Sequence, residues 1–235
     1  MKILPAVLVL MAAPLMAGAA ENAGDQAAGN PVVEMKTSMG TILLELARDK
    51  APITVSNFVR YVEQKHYDNT VFHRVIRGFM NQGGGFELKD SDLVEKQTAF
   101  PPIRNEARAS GLRNEPGTIA MARTGDPHSA TAQFFINVRN PGTPSGSNDF
   151  LDFDKARDGF GYVVFGRVTS GMDVVEKINA VPTGRRTLKA RDRSGAVREM
   201  PAADVPTTPV IIESIRLRPP AAPSPVSPGS EPADR

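Results

Sequence analysis

Short strand-like runs recur through the middle of this chain while only two stretches carry helical spacing, and that imbalance restricts the fold more than any other feature. Residues 32–36 and 41–46 flank Thr37-Ser38-Met39-Gly40, and Ile42, Leu44 and Leu46 share one face by period two, which predicts a hairpin. Further runs lie at 71–77, 117–122, 132–138, 161–168 and 209–217. Helical spacing appears in Val55, Phe58, Val59 and Val62, behind a Pro52 whose missing N–H costs nothing in a first turn. It returns in Met172, Val175 and Ile178 after Ser170-Gly171. Many short strands leave many unpaired edges, and closing the sheet on itself removes them. The expected fold is therefore mainly β, a closed barrel whose open ends are covered by two helices. Residues 87–110, broken by Pro101-Pro102, read as loops and short pieces, and the charged, proline-bearing 183–209 reads as an extended loop.

The two ends of the chain read differently from its middle. Lys2, an almost wholly apolar stretch over 3–16 and the small-residue run Ala17-Gly18-Ala19 form the pattern of a secretion leader over 1–20, cut after Ala19 or Ala20. Pro5, Pro14 and the brevity of the run argue against a permanent span, so no stable membrane insertion is expected after cleavage, and the periplasm is the favoured destination. Residues 21–30 read as a flexible mature N-terminus, 31–218 as one folded domain, and 219–235, rich in Pro, Ala and Ser, as a disordered tail. The absence of cysteine excludes disulfides, zinc–thiolate sites and cysteine catalysis, so an exported chain of this kind depends on a single well-packed core.

The net charge of +2 is a small excess of 28 basic over 26 acidic side chains, not a field for nucleic acid, and no nucleic-acid partner is expected. His66, His73 and His128 are dispersed, and Gly83-Gly84-Gly85 lacks the Lys-Ser/Thr of a phosphate loop, so no metal ion, nucleotide or other cofactor is expected. The glycines predict a tight backbone bend, and His73 reads as a structural residue rather than a general base. Arg185, Arg186, Lys189, Arg191 and Arg193, interleaved with acid and glycine, read as a solvated basic stretch.

What remains is a constellation of Arg74, Phe79, Met80 and Gln82, matched by Gln133-Phe134-Phe135-Ile136-Asn137. These residues can form an apolar slot rimmed by one cation and two amides, which suits an uncharged, proline-sized ring on a peptide backbone. Period two puts Phe134, Ile136 and Val138 on the core side and Gln133, Phe135 and Asn137 on the slot side. On pattern alone Arg74 reads more readily as a surface arginine on a strand in a salt bridge.

The runs Phe72-His73-Arg74-Val75-Ile76, Gly78-Phe79-Met80, Gln82-Gly83-Gly84, Gly117-Thr118-Ile119-Ala120-Met121-Ala122, Ser129-Ala130-Thr131-Ala132-Gln133-Phe134-Phe135-Ile136 and Val163-Val164-Phe165-Gly166-Arg167-Val168 resemble, in order, the signature of cyclophilin-type peptidyl-prolyl cis–trans isomerases. The resemblance covers about residues 32–217, and Phe150 and Tyr162 are similar to the bacterial periplasmic branch. It implies a closed eight-stranded antiparallel β-barrel capped by two α-helices, with a surface groove for proline-containing unfolded or extended polypeptides. It implies Arg74 as the catalytic group, Phe79, Met80, Phe135, Phe150 and Leu151 as the proline slot, and Gln82 and Gln133 as donors and acceptors to the substrate backbone. Ala122 and Arg123 match the strand that binds the peptide backbone, although Arg123 replaces the usual Asn and the loop after it is one residue longer. Tyr162 stands where many eukaryotic relatives carry His, and Phe150 where they carry the Trp that favours cyclosporin, so weak drug sensitivity is expected. The family default is a monomer, and the activity implied is isomerisation of X–Pro bonds in exported proteins. A holdase that grips proline-bearing segments without turnover is the competing reading.

Overall fold

The computed structural model describes residues 29–192 and 194–219, so the leader expected over 1–20, the stretch up to 28 and the tail from 220 onward lie outside the described residues. In chain order the elements are β1 (Val32–Thr37), β2 (Gly40–Leu46), α1 (Pro52–Glu63), β3 (Thr70–Ile76), β4 (Met80–Lys89), β5 (Asp92–Glu95), α2 (Ala107–Ser110), β6 (Thr118–Met121), β7 (Phe134–Asn137), β8 (Val164–Ser170), α3 (Met172–Asn179), β9 (Thr183–Arg191), β10 (Val197–Pro206) and β11 (Ile211–Leu217). Neighbours run β4, β3, β11, β1, β2, β8, β6, β7, and β7 pairs back to β4, so these eight strands close into a barrel. Every pairing around the ring is antiparallel.

The barrel interior is filled by the alternating apolar positions, among them Met35, Ile42, Leu44, Phe72, Ile119, Phe134, Ile136 and Ile215. The two longer helices enter this core from opposite ends of β2. At the β1–β2 turn Gly40 lies against Val174 of α3, and past Leu46 the chain reaches Ala51, where α1 begins. Phe58 of α1 packs on the rings of Tyr67, Phe165 and Phe134 at 5.0, 5.1 and 5.9 Å. Burial of each such ring contributes roughly 1.5–3 kcal/mol. Ala51 has no side chain to cap α1, and the acceptor comes from Glu106, far along the chain. Its carboxylate accepts the N–H of Ile53 at 3.2 Å, the N–H of Thr54 at 2.8 Å and the Thr54 hydroxyl at 2.7 Å.

The extended loop expected over 183–209 is largely strand instead, while 87–110 holds short pieces as expected: the end of β4, β5 and α2. Phe72 lies opposite Gly83 but Val71 lies opposite Phe86, so Gly84 and Gly85 are extra residues that bend β4 out of the barrel. Gly84 has φ +81°, and both Tyr67 and Phe134 crowd the place where a Cβ would stand, so the bend there requires glycine. Beyond the bend β4 pairs with β5, β5 runs parallel to β9, and β9 pairs with β10, forming an annex sheet. Its small core is Val71, Phe86, Leu93, Leu188, Ala190 and Val205. The annex escapes a pattern reading because most of β10 is exposed and carries Pro201. α2, a single turn closed by Gly111 at φ +66°, is a third helix beyond the two expected.

Candidate active site

Arg74 faces outward because of a bulge. Phe72 points into the barrel, and strict alternation would return Arg74 to the interior. The register instead sets Phe72 opposite Gly83 and Arg74 opposite Gln82, leaving His73 as an extra residue on β3. Arg74 is exposed on the outer face, while Val75 resumes the interior pattern. Among the described residues, Arg74 makes no ion pair or hydrogen bond with another side chain. His73 itself is buried against Phe86, 4.6 Å between ring centres. Desolvation holds its pKa down at about 4, with Arg74 adding to the shift, so it is neutral near pH 7 and unsuited to base catalysis.

The residues beside Arg74 form one row across five neighbouring strands. Arg74 is opposite Gln82, Gln82 opposite Phe135, Phe135 opposite Ala120, and Ala120 opposite Val164. Met80, Ala120, Phe135 and Val164 make an apolar cluster separate from the barrel interior, bordered by Phe79, Ala122, Leu151 and Tyr162. This is the floor of a groove on the outside of the barrel. Strand spacing puts the backbone of Arg74 about 10 Å from that of Phe135, within the reach of a guanidinium toward a ring seated over Phe135. Gln82 Nε2 donates to Gln133 Oε1 at 3.1 Å, so the two amides are linked. The side chain of Gln133 lies where a Cβ on Gly85 would stand, so the third glycine makes room for it.

The groove walls stand on loops. Phe79 and Phe150 are tilted rings 5.5 Å apart, and Tyr162 meets Phe135 edge-on at 5.7 Å. Phe150 is 46% exposed, so it forms a rim rather than a closed side of the slot. A buried amide network ties these pieces together. Asn148 Nδ2 donates to Phe79 O and Asn137 Oδ1, both at 2.8 Å. Asn137 Nδ2 donates to Asn114 Oδ1 at 3.2 Å, and Asn114 Nδ2 to Asp152 Oδ1 at 3.0 Å. Asn137 therefore lies buried in this network rather than open to a ligand. Tyr162 N–H donates to Leu151 O at 2.9 Å, and Gly161 packs so closely on the 151–153 backbone that no Cβ fits.

Arg123 keeps its side chain engaged within the protein. That side chain is only 4% exposed. It donates to Thr124 O at 3.0 Å and Gly161 O at 3.2 Å, pairs with Asp158, and stacks under Tyr162. With the residue partly exposed and its side chain covered, what Arg123 offers a ligand is backbone. Of the expected site residues, Arg74, Phe79, Met80, Gln82, Ala122, Gln133, Phe135, Phe150, Leu151 and Tyr162 gather around this one groove. Asn114, Asn148, Asp152 and Gly85 were not legible as parts of it, because isolated Asn and Asp in a Gly/Pro/Ser-rich loop carry the same signal as turn residues.

Comparison with known proteins gives a consistent result. Residues 32–216 match the family model for cyclophilin type peptidyl-prolyl cis-trans isomerase/CLD. The chain is similar to peptidyl-prolyl cis-trans isomerase cyp18 of Streptomyces antibioticus, 50% identical over 186 residues, covering 79% of this chain and 97% of the relative. It is also similar to peptidyl-prolyl cis-trans isomerase B of Escherichia coli K12, 48% identical over 187 residues, covering 79% of this chain and 99% of the relative. In fold it matches a crystal structure of a Cryptosporidium parvum cyclophilin type peptidyl-prolyl cis-trans isomerase solved in the presence of the dipeptide Ala-Pro. That match has a TM-score of 0.56 and 22% identity, over 80% of this chain and 99% of the other.

Proposed function

This chain belongs to the cyclophilin-type peptidyl-prolyl cis–trans isomerases, and we propose that Arg74 is the residue through which it lowers the barrier to X–Pro rotation. The barrier, about 18–20 kcal/mol, arises because the imide nitrogen lone pair is conjugated with the carbonyl. In the twisted state that conjugation is lost and the nitrogen becomes pyramidal and more basic. A donor aimed at it stabilises the twisted state more than either planar one. No bond breaks, so no nucleophile is needed.

The observation that carries this reading is an outward, unpaired guanidinium in register with Gln82 and Phe135. A proline ring over Phe135, Met80 and Phe79 brings its nitrogen toward Arg74. Gln82 and Gln133 hold the backbone on one side, and the partly exposed stretch at Ala122 and Arg123 takes an extended segment through its backbone. Arginine suits this position because it stays charged and presents its donors in a rigid plane. Arg74→Ala is expected to lower kcat/KM on an Ala-Pro-Phe peptide, read by NMR exchange, by about 10²- to 10³-fold with the fold retained. Turnover like that of the unaltered protein would remove Arg74 from this role.

The substrates proposed are proline-containing segments of exported polypeptides, met in the periplasm by a monomeric enzyme that uses no cofactor. The leader-like pattern over 1–20 supports this reading. Residues 1–25 fused to a reporter active only after export test it directly, and a reporter retained in the cytoplasm refutes it.

A further inference from the structure

Behind the Phe150 and Tyr162 walls lies a second depression of about 550 Å³, lined by those two rings and by Lys155, Ala156, Arg157 and Asp158. Its charges can be followed one at a time. Lys155 Nζ donates to Asp149 Oδ2 at 2.5 Å. Asp158 is held by Arg123, and its Oδ1 accepts the N–H groups of Phe160 and Gly161 at 3.0 and 3.1 Å. Outside the lining, Asp154 pairs with Arg113, and Asp152 accepts from Asn114. Arg157 alone in the lining is a charge without a partner: it is exposed and makes no ion pair or hydrogen bond among the described residues.

We infer that this depression is an additional substrate subsite, which takes an acidic side chain of the same polypeptide whose proline occupies the groove. The inference rests on the groove assignment above. The depression and the groove share the Phe150 and Tyr162 rings, so a peptide leaving the groove on that side passes directly into it. An extended peptide advances about 3.3 Å per residue, so a side chain two or three residues from the proline lies over Arg157. A Glu or Asp there meets an unpaired guanidinium. The carboxylate in the lining, Asp158, is already engaged by Arg123 and two backbone N–H groups, so it opposes the acid little. A Lys or Arg there meets the same guanidinium as a like charge.

The experiment uses the full chain and a set of peptides with a central Ala-Pro, carrying a single Glu, Gln or Lys at each flanking position in turn. Each kcat/KM is read by NMR exchange at low salt and at about 0.5 M salt. Glu is expected to exceed Lys by about three- to fivefold at one position or two adjacent ones, the range for an exposed charge pair. The preference is expected to compress in high salt and to invert in Arg157→Glu. Turnover with no difference between Glu and Lys overturns the subsite alone. So does a preference that survives Arg157→Glu unchanged. Inactivity toward every peptide overturns the groove assignment and the subsite with it.

Discussion

The guanidinium carbon of Arg123 lies 4.4 Å from the centre of the Tyr162 ring, and the ring in turn meets Phe135 on the groove floor. A charge that covers the back of an aromatic wall fixes the wall's position without touching a ligand. Hydrogen bonds to Thr124 O and Gly161 O and the pair with Asp158 leave that guanidinium little freedom. A buried cation over a ring is worth about 0.5–2 kcal/mol, and here it acts on groove shape. Arg123→Ala is therefore expected to lower kcat/KM for a prolyl peptide by about two- to thirtyfold, mainly through a higher KM. Tyr162→Phe keeps the ring over Arg123 and should retain most of the activity. An equal loss in both variants would show that the hydroxyl, not the ring, matters.

The three successive glycines at the β4 bend separate stability from activity. At Gly84, with φ +81° between Tyr67 and Phe134, alanine adds both backbone strain and overpacking. Gly84→Ala should cost about 2–4 kcal/mol of unfolding free energy, measured by urea denaturation. Gly85 has no positive φ, but its added methyl would occupy the space of the Gln133 side chain. Gly85→Ala should thus break the Gln82–Gln133 link and lower kcat/KM by about tenfold with a much smaller change in stability. A Gly85→Ala variant as active as the unaltered protein would show that Gln133 can be displaced without harm.

Most of the barrel was legible because its strands bury one face and alternate cleanly, as Ile42, Leu44 and Leu46 do. The annex was not. β9 and β10 bury only a few side chains, such as Leu188, Ala190 and Val205, so their alternation is hidden among charges and prolines. The groove residues were readable from motif resemblance, but their common face was not. Arg74 shares a face with Gln82 and Phe135 only through the bulge at His73, and nothing in the local pattern of β3 announces it. Arg123 shows a related limit. A sequence gives its charge, while its direction depends on Asp158 and Gly161, more than thirty positions away.

Glu106 is expected to be a stability residue although it lies in a region that reads as loop. Its carboxylate serves two N–H groups and a hydroxyl at the start of α1 and is 8% exposed. Glu106→Ala leaves those donors unsatisfied inside the protein and should cost about 2–3 kcal/mol in urea unfolding. Glu106→Gln keeps one acceptor and should lose roughly half as much. A loss below about 0.5 kcal/mol in the alanine variant would mean that water replaces the cap.

Stability should also fall on mild acidification, for a reason located at the bulge. Burial lowers the pKa of His73 to about 4, from an ordinary value of 6.5. His66, desolvated beneath the annex bend and near Lys96, is lowered to about 4 as well. Because the folded-state values lie below the unfolded ones, the unfolded chain binds protons first as pH drops. The stabilisation is complete above about pH 6.5 and is lost progressively as pH falls toward 4. For His73, fully enclosed, the slope in the middle of that window is about 1.4 kcal/mol per pH unit. His73→Phe keeps an aromatic ring against Phe86 and removes the titration, so its unfolding free energy should depend less steeply on pH between 6.5 and 4. Urea melts at half-unit pH steps check this. Parallel curves for the two proteins would mean that His73 takes up its proton equally in the folded and the unfolded chain, and that other groups govern the acid response.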